Sequence, residues 1–519
     1  MASNNLEPML KRISKLVVMA VVATLTLGVP ATANAVANCI AAPSLSSVAT
    51  LTKLTGFSNG AGAGYYSFTP GEANDSVFPT RVSYFTASLD KFKIDAVHSR
   101  MTVTNTQYSL AQSSPTSVGY MNTDFFGDRY GSNLPYSAIV KNSQLVYMPY
   151  LNNSLVERVV GMEESKNSES TGYSGTSVMK SGNVSYKVTG VNLSVIEPNS
   201  VVAFTPKFVS STIVRGTYGI LVSKNKVVAI YPKGTNKRPT VGIVLQATGT
   251  QVARLKKLRV GSAAVFTLPA KPRYKLVVDR IGSNGYVQVP GRSRINITAV
   301  NFSNAVMTGS ILYDANYYSS GSYTPQWLGA KTLVLSPTGT VVKMYSSGKA
   351  IVPSGSYPFV LQISAADAAS LGSPLPTVGT QLTLKRTIRS TGGHTLISAM
   401  GRGDLILSNG VNLEACDSNT EQIRPRSALG WNDSGQFWFM TSTAGDASGE
   451  FGGWRAGGST IHQMGDWLKQ MGATEAVFFD GGGSTAMLVN PTTGYRRLDL
   501  PENVLLRAIP VGIVALPIG

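Results

Sequence analysis

Two stretches about 110 residues apart carry nearly the same text, and this echo constrains the fold more than any other feature of the chain. Thr189-Gly190-Val191-Asn192-Leu193 returns as Thr298-Ala299-Val300-Asn301-Phe302, and the likeness continues downstream. Tyr218 to Val228, Gly242 to Ala247 and Val260 to Phe266 in the first copy answer to Ala330 to Val342, Pro358 to Ile363 and Val378 to Leu384 in the second. A short helical signal sits between the last two blocks of each, Gln251 to Leu258 and Ala365 to Leu371. Copies of about 80 to 90 residues, present only twice, are too long and too few for a solenoid. Two related β-rich modules are expected. Charged residues at 14%, with 52 glycines and 22 tyrosines, agree with strands and loops rather than helical bundles. The predicted class is α+β, with β-rich mixed sheets, a few helices and a duplicated β-rich module.

The remaining text divides around these copies. Lys11, Arg12 and Lys15 precede an apolar run from Leu16 to Val29, and Ala33-Asn34-Ala35 supplies a small-residue cleavage pattern, so residues 1–35 read as a signal peptide cut after Ala35. That run is short for a membrane span, and no other uncharged apolar run approaches about 18 residues. A secreted or wall-associated protein is expected. Residues 36–75 read as a linker or loosely ordered lead, 76–184 as the first part of the main domain, 185–295 and 296–386 as the two repeats, and 387–519 as the rest of the main domain. Cys39 follows Asn38, not the small residue that precedes a lipidated cysteine; with Cys416 it could form one disulfide, or both thiols could stay separate.

Three stretches carry candidate chemistry. Ala476-Val477-Phe478-Phe479 and Ala486-Met487-Leu488-Val489 read as buried strands, and between them lie Asp480, Gly481, Gly482, Gly483, Ser484 and Thr485. A hairpin needs about two turn residues, so three glycines imply a backbone approached closely by something else, although a glycine-rich bulge would look the same. Asn122 and Asp124, before Phe125 and Phe126, would project to one side of an extended strand, or else cap their own backbone. Upstream of the glycine turn, Ile461, Met464, Trp467, Leu468 and Met471 form one apolar stripe, with Ser459 available as cap and Gly472 as stop. Strand, helix and strand here make a βαβ-like unit or an α+β layer.

Taken in order, Asn122 to Phe126, Arg426-Ser427-Ala428-Leu429-Gly430, the helix before Gly472-Ala473 and Asp480-Gly481-Gly482-Gly483-Ser484-Thr485 resemble the phosphodiester glycosidase family, the family of the lysosomal "uncovering enzyme", in a bacterial secreted form. The resemblance runs from about residue 80 to 516 and takes in Arg507 before the last apolar strand. This chain departs from the pattern twice. Residues 296–386 look like an additional copy of a repeat, and Thr441 to Asp446 stand where relatives carry a short acid-glycine-basic run.

The resemblance implies hydrolysis of a sugar-1-phosphodiester at the anomeric C–O bond. Glycosidases ordinarily use two carboxylates, and Asp480 with Asp124 would be that pair. Arg426, then Arg507, would neutralise the departing phosphate. Asn122 would hold a sugar group, and the N–H groups of Gly481, Gly482 and Gly483 with Ser484 and Thr485 would hold phosphate oxygens. No lysine and helix follow the turn, so a nucleotide loop is disfavoured. With three histidines and two cysteines no zinc set is evident; no cofactor is expected, and a calcium on Asp480 and Asp124 has no support from ligand spacing. His394 and His462 read as lying outside the site.

The net charge of +18, or +16 without residues 1–35, suits an anionic partner such as a phosphorylated or wall glycan. The basic residues look scattered and no nucleic-acid module is recognisable, so no nucleic-acid partner is expected. Two rival readings remain: a non-catalytic glycan-binding protein using the same pocket, and a hydrolase of another anionic wall glycan. The oligomeric state is not legible.

Overall fold

The computed structural model describes residues 39–99, 106–127, 134–149, 157–164, 173–268, 274–302, 309–317, 330–347, 351, 353–355, 358–370, 375–414, 422–444, 450–451, 454–455, 457–492, 494–500 and 506–518. The expected signal peptide, Cys416 and Asp446 lie outside these residues. Cys39 is disulfide-bonded, and the chain has two cysteines.

An eight-stranded antiparallel sheet runs in the order Thr50–Leu54, Gly62–Phe68, Thr80–Ser88, Gln436–Thr443, Arg426–Trp431, Glu475–Phe478, Leu405–Ser408, Val411–Asn412. Its first two strands fall inside the segment expected as a loose lead, which is therefore corrected. Residues 39–75 gain order from tertiary burial: Leu45 and Phe68 are buried, Phe68 stacks on Trp467 at 5.7 Å, and Trp467 Nε1 donates to the Pro43 carbonyl at 3.1 Å.

The helix Ile461–Met471 covers this sheet, packing Met464, Trp467 and Leu468 against Val82, Ile406, Ala428 and Met440. Thr460, not Ser459, caps it: the Thr460 hydroxyl accepts from Gln463 N at 3.1 Å while Gln463 Oε1 accepts from Thr460 N. Gly472 ends the helix with φ +102°. Gln436–Thr443, earlier in the chain, and Glu475–Phe478, after the helix, both pair antiparallel with Arg426–Trp431, so they run parallel to each other with that strand between them.

A five-stranded antiparallel sheet holds Arg496–Arg497, Met487–Val489, Gly119–Asn122, Val511–Pro517 and Phe92–His98 in that order. Chain from both ends of the sequence thus meets around Gly119–Asn122. A further six-stranded sheet pairs Glu157–Glu164 with Tyr274–Ser283 and Leu396–Gly401. Tyr274–Ser283 belongs to it, so the sheets do not follow the boundaries drawn at 185 and 296.

The two similar stretches form two sheets of matching plan. The first orders Tyr173–Ser181, Val184–Val191, Val201–Phe204, Ile243–Ala247, Tyr218–Ser223, Lys226–Tyr231; the second orders Tyr286–Gln288, Arg294–Val300, Ser310–Tyr313, Phe359–Ile363, Lys331–Leu335, Val341–Tyr345, with Thr383–Lys385 added beside Tyr286–Gln288. Asn192 and Asn301 occupy equivalent places with φ +52° and +54°. Each accepts on its side-chain oxygen from a main-chain N–H thirteen residues on, Thr205 and Asp314, both at 2.8 Å. That shared bond explains why the asparagine survives in both texts, since Asn tolerates left-handed backbone better than most residues.

Candidate active site

The glycine turn is the crossing between the eight-stranded and five-stranded sheets. Glu475–Phe478 enters it from one and Met487–Val489 leaves into the other. Three main-chain bonds and one side chain set its path. Asp480 N donates to Thr123 O at 3.0 Å, Gly482 N to Pro425 O at 2.9 Å, and Gly403 N to Phe478 O at 2.9 Å. Asn122 Nδ2 donates to Asp480 O at 2.7 Å, while Asn122 Oδ1 accepts from Ser427 Oγ at 2.6 Å and Ala486 N at 3.1 Å. A Cβ on Gly481 would stand 2.5 Å from the Pro425 carbonyl oxygen, and Gly482 has φ +59°, so close approach and left-handed backbone account for these two glycines.

The turn forms one wall of a cavity of about 850 Å³ whose lining includes Phe125, Arg424, Arg426, Phe478, Asp480 and Arg507. Asp480 is the one carboxylate among the described lining residues, faced by three arginines. Burial pushes the Asp480 carboxyl up to about 6, against the opposing pull of the Ser484 hydroxyl, the Arg507 charge and the Gly481 N–H. Arg426 is buried, its guanidinium set by the Ser459 carbonyl at 3.3 Å and the Gln422 carbonyl at 2.7 Å. Arg507 is exposed and lies over the Phe126 ring at 4.8 Å.

Of the expected site residues, Asp480, Arg426, Arg507 and Gly481 to Gly483 meet in this cavity. The three glycine N–H groups are not equivalent. Gly481 N donates to Asp480 Oδ1 at 3.0 Å and Gly482 N to Pro425 O, which leaves the Gly483 N–H without an acceptor among the described residues. Ser484 and Thr485 are buried beneath the turn.

Asn122 and Asp124 serve differently from the expectation. Both are buried. Asn122 spends its carboxamide on the three bonds above, so it positions the turn instead of facing a sugar. The Asp124 carboxylate accepts from Ser137 N at 2.7 Å, and it lies so close to Gly401 that a Cβ there would meet it at 2.3 Å. The strand ends at Asn122, so the alternation that would have aligned the two side chains stops before Asp124.

His394 lies 3.3 Å from Glu163 and His462 3.4 Å from Asp466, and neither lines the cavity. Among the described residues no three His, Cys, Asp or Glu side chains converge as a metal site would need, and no helix is long and apolar enough to cross a membrane. Sequence reasoning passed over Arg424 and the aromatic wall of Phe125 and Phe478. Arg424 and Arg426 stand two apart on extended chain around Pro425, a spacing that puts side chains on one side, and this was the available signal.

Comparison with known proteins bears on the same region. The chain is similar to a hypothetical protein from Synechocystis, with 14% identity and a TM-score of 0.49 over 90% of this chain and 63% of that one, so it spans less than two thirds of that protein's length. It is similar to an exported-protein candidate from Burkholderia pseudomallei, with 14% identity and a TM-score of 0.47 over 85% of this chain and 75% of that one. The catalytic domain of zebrafish N-acetylglucosamine-1-phosphodiester alpha-N-acetylglucosaminidase, auto-inhibited by its pro-peptide, matches at 14% identity with a TM-score of 0.18, over 47% of this chain and 78% of that one. No curated protein matches. A model of the phosphodiester glycosidase family matches residues 332–516, the stretch in which Arg426, Asp480 and Arg507 lie.

Proposed function

We propose that this is an exported hydrolase that cleaves a sugar-1-phosphodiester in a phosphorylated or wall glycan, cutting the anomeric C–O bond. The observation that carries the reading is one carboxylate among the described lining residues, Asp480, its pKa raised by burial, in a cavity with Arg424, Arg426 and Arg507. Three guanidinium groups suit a phosphate, which Arg can grip with two parallel bonds. Gly483 N–H adds a donor at the same wall, and Phe125 and Phe478 offer apolar surface to a sugar face.

The chemistry follows from what the site has and what it lacks. A phosphodiester oxygen leaves as a stabilised anion, so a general acid is dispensable and one carboxylate suffices. Ionised Asp480 takes a proton from water as the water oxygen bonds to the anomeric carbon. The C–O bond breaks with its electron pair moving to the phosphate oxygen, where the arginines offset the added charge. Free sugar and a phosphomonoester result.

A second reading has its own observation. Asp124, the other carboxylate of the expected pair, is committed to Ser137 N, which favours a protein that holds the glycan without cutting it. Turnover of an aryl sugar-1-phosphodiester by the wild type and by Asp480→Asn decides between them. Hydrolysis by the wild type alone supports the enzyme; equal binding by both forms with no hydrolysis by either removes it. Sugar release from a wall polymer that lacks phosphodiesters would instead assign another anionic glycan as substrate.

A further inference from the structure

The positive charge of the chain is concentrated, not scattered as its sequence first suggests. From Tyr173 to Leu268 there are thirteen lysines and arginines against one acid, Glu197, a net of +12 in a chain of +18. All thirteen are exposed. The second module, Tyr286 to Lys385, follows the same strand plan with six basic residues against Asp314 and Asp367, a net of +4. The fold therefore does not require the charge.

Seven of these cations gather at two places. At one end the hairpin tip carries Lys224 and Lys226, and Ala264 N donates to Asn225 O at 2.8 Å. Gly261 N donates to Val227 O and Val265 N to Lys180 O, both at 2.8 Å, which brings Arg259 and Lys180 to the same end. At the other end of the strand Lys226–Tyr231, Ile213 N donates to Asn236 O at 3.0 Å and Thr212 bridges Lys237, so Arg215, Lys233 and Lys237 assemble there. Six residues of strand separate the groups by about 20 Å, more than twice the screening length of about 8 Å at physiological salt. One small anion cannot serve both, whereas a chain of repeated charges can.

Two further details sharpen the occupant. Lys224 has φ +50°, a conformation that costs a lysine where Asn or Gly would fit the turn, and it keeps a charge at the tip. Of the module's rings, Tyr186, Phe204, Phe208 and Tyr218 are buried and Tyr231 and Phe266 half-buried, so the surface offers many cations for phosphates and little open ring face for stacking nucleobases.

We propose that residues 173–268 dock a linear polymer of phosphodiester-linked sugar or polyol units. Docking stands on the charge arrangement itself; its link to turnover rests on the phosphodiester reading of the cavity. Where its units are sugars linked to phosphate through the anomeric carbon, the polymer held there presents those linkages to the cavity at raised effective concentration; a polyol phosphate chain would be bound without being cut.

The test uses the full chain with synthetic poly(glycerol phosphate), read by fluorescence anisotropy between 50 and 200 mM salt. K224Q/K226Q/R259Q and R215Q/K233Q/K237Q should each weaken binding about fivefold or more and flatten its salt dependence, and R292Q/R294Q/K343Q in the second module should change it little. On a polymeric substrate the first two variants should raise KM, while rates on a small aryl sugar-1-phosphodiester stay within about twofold. Unchanged polymer binding in both triple variants overturns the proposal, and so does tighter binding of single-stranded DNA or of phosphatidylglycerol vesicles. Polymer binding by a wild type that hydrolyses neither substrate, weakened in both triple variants, would leave docking standing and remove only the enzymatic reading.

Discussion

The side-chain amide of Asn122 donates to the main-chain carbonyl of Asp480 at 2.7 Å, across 358 residues of sequence. The same carboxamide holds Ser427 and Ala486, so one buried group fixes the strand from which Arg426 projects and the turn that carries the acid.

Asn122→Ala should consequently lower stability by about 3 kcal/mol or more, because several buried groups lose a partner at about 1–3 kcal/mol each. Urea denaturation followed by tryptophan fluorescence checks this. An unchanged midpoint would show that the carboxamide is dispensable.

Asp480→Asn should abolish hydrolysis yet make the protein more stable at neutral pH. The folded carboxyl titrates at about 6, above its ordinary 3.8, so folding is favoured by the protonated form. The penalty is absent below about pH 4, grows up to pH 6 and is full above it. At most about 3 kcal/mol is at stake. Melting curves of both forms should diverge from pH 4 to 6 and run parallel above; a variant melting below wild type at pH 8 contradicts the assignment.

If ionised Asp480 is the base, kcat/KM should fall about tenfold per pH unit below about 6. Bound phosphate adds a negative charge beside the carboxylate and raises its pKa, so the limb in kcat should lie at higher pH than the limb in kcat/KM. A flat profile between pH 4.5 and 7 rules this role out.

The arginines should separate by burial. Arg426→Lys removes a fork held by two carbonyls and should reduce kcat/KM about 100-fold, whereas Arg507→Ala, at an exposed position, should cost about tenfold. Because the Arg507 charge pulls the Asp480 pKa down, Arg507→Ala should also move the acid limb upward, an effect absent from a purely structural substitution.

Much of this site was legible because its parts are local. Apolar runs beside Asp480 give strands, the stripe from Ile461 to Met471 gives a helix, and the paired texts give two sheets of one plan. What failed depended on contacts distant in sequence. Thr50–Leu54 and Gly62–Phe68 are poor in apolar alternation and gain order from neighbours such as Thr80–Ser88. Asp124 was assigned by strand spacing, but the strand stops two residues earlier, and Ser137 N and Gly401 decide where its carboxylate rests. Buried desolvation of Asp480 likewise arises from chain that no local window contains.

The five-stranded sheet, built from Phe92–His98 and Gly119–Asn122 near one end and Met487–Val489 and Val511–Pro517 near the other, sets an order on synthesis. A ribosome must deliver nearly the whole chain before the acid can meet the asparagine that holds it. The two inserted modules have strands that pair within their own sheets, so they can fold while the rest is still being made. Their early folding shortens the flexible loop that the final pairing must close, and it leaves the cavity around Asp480 to form after both modules.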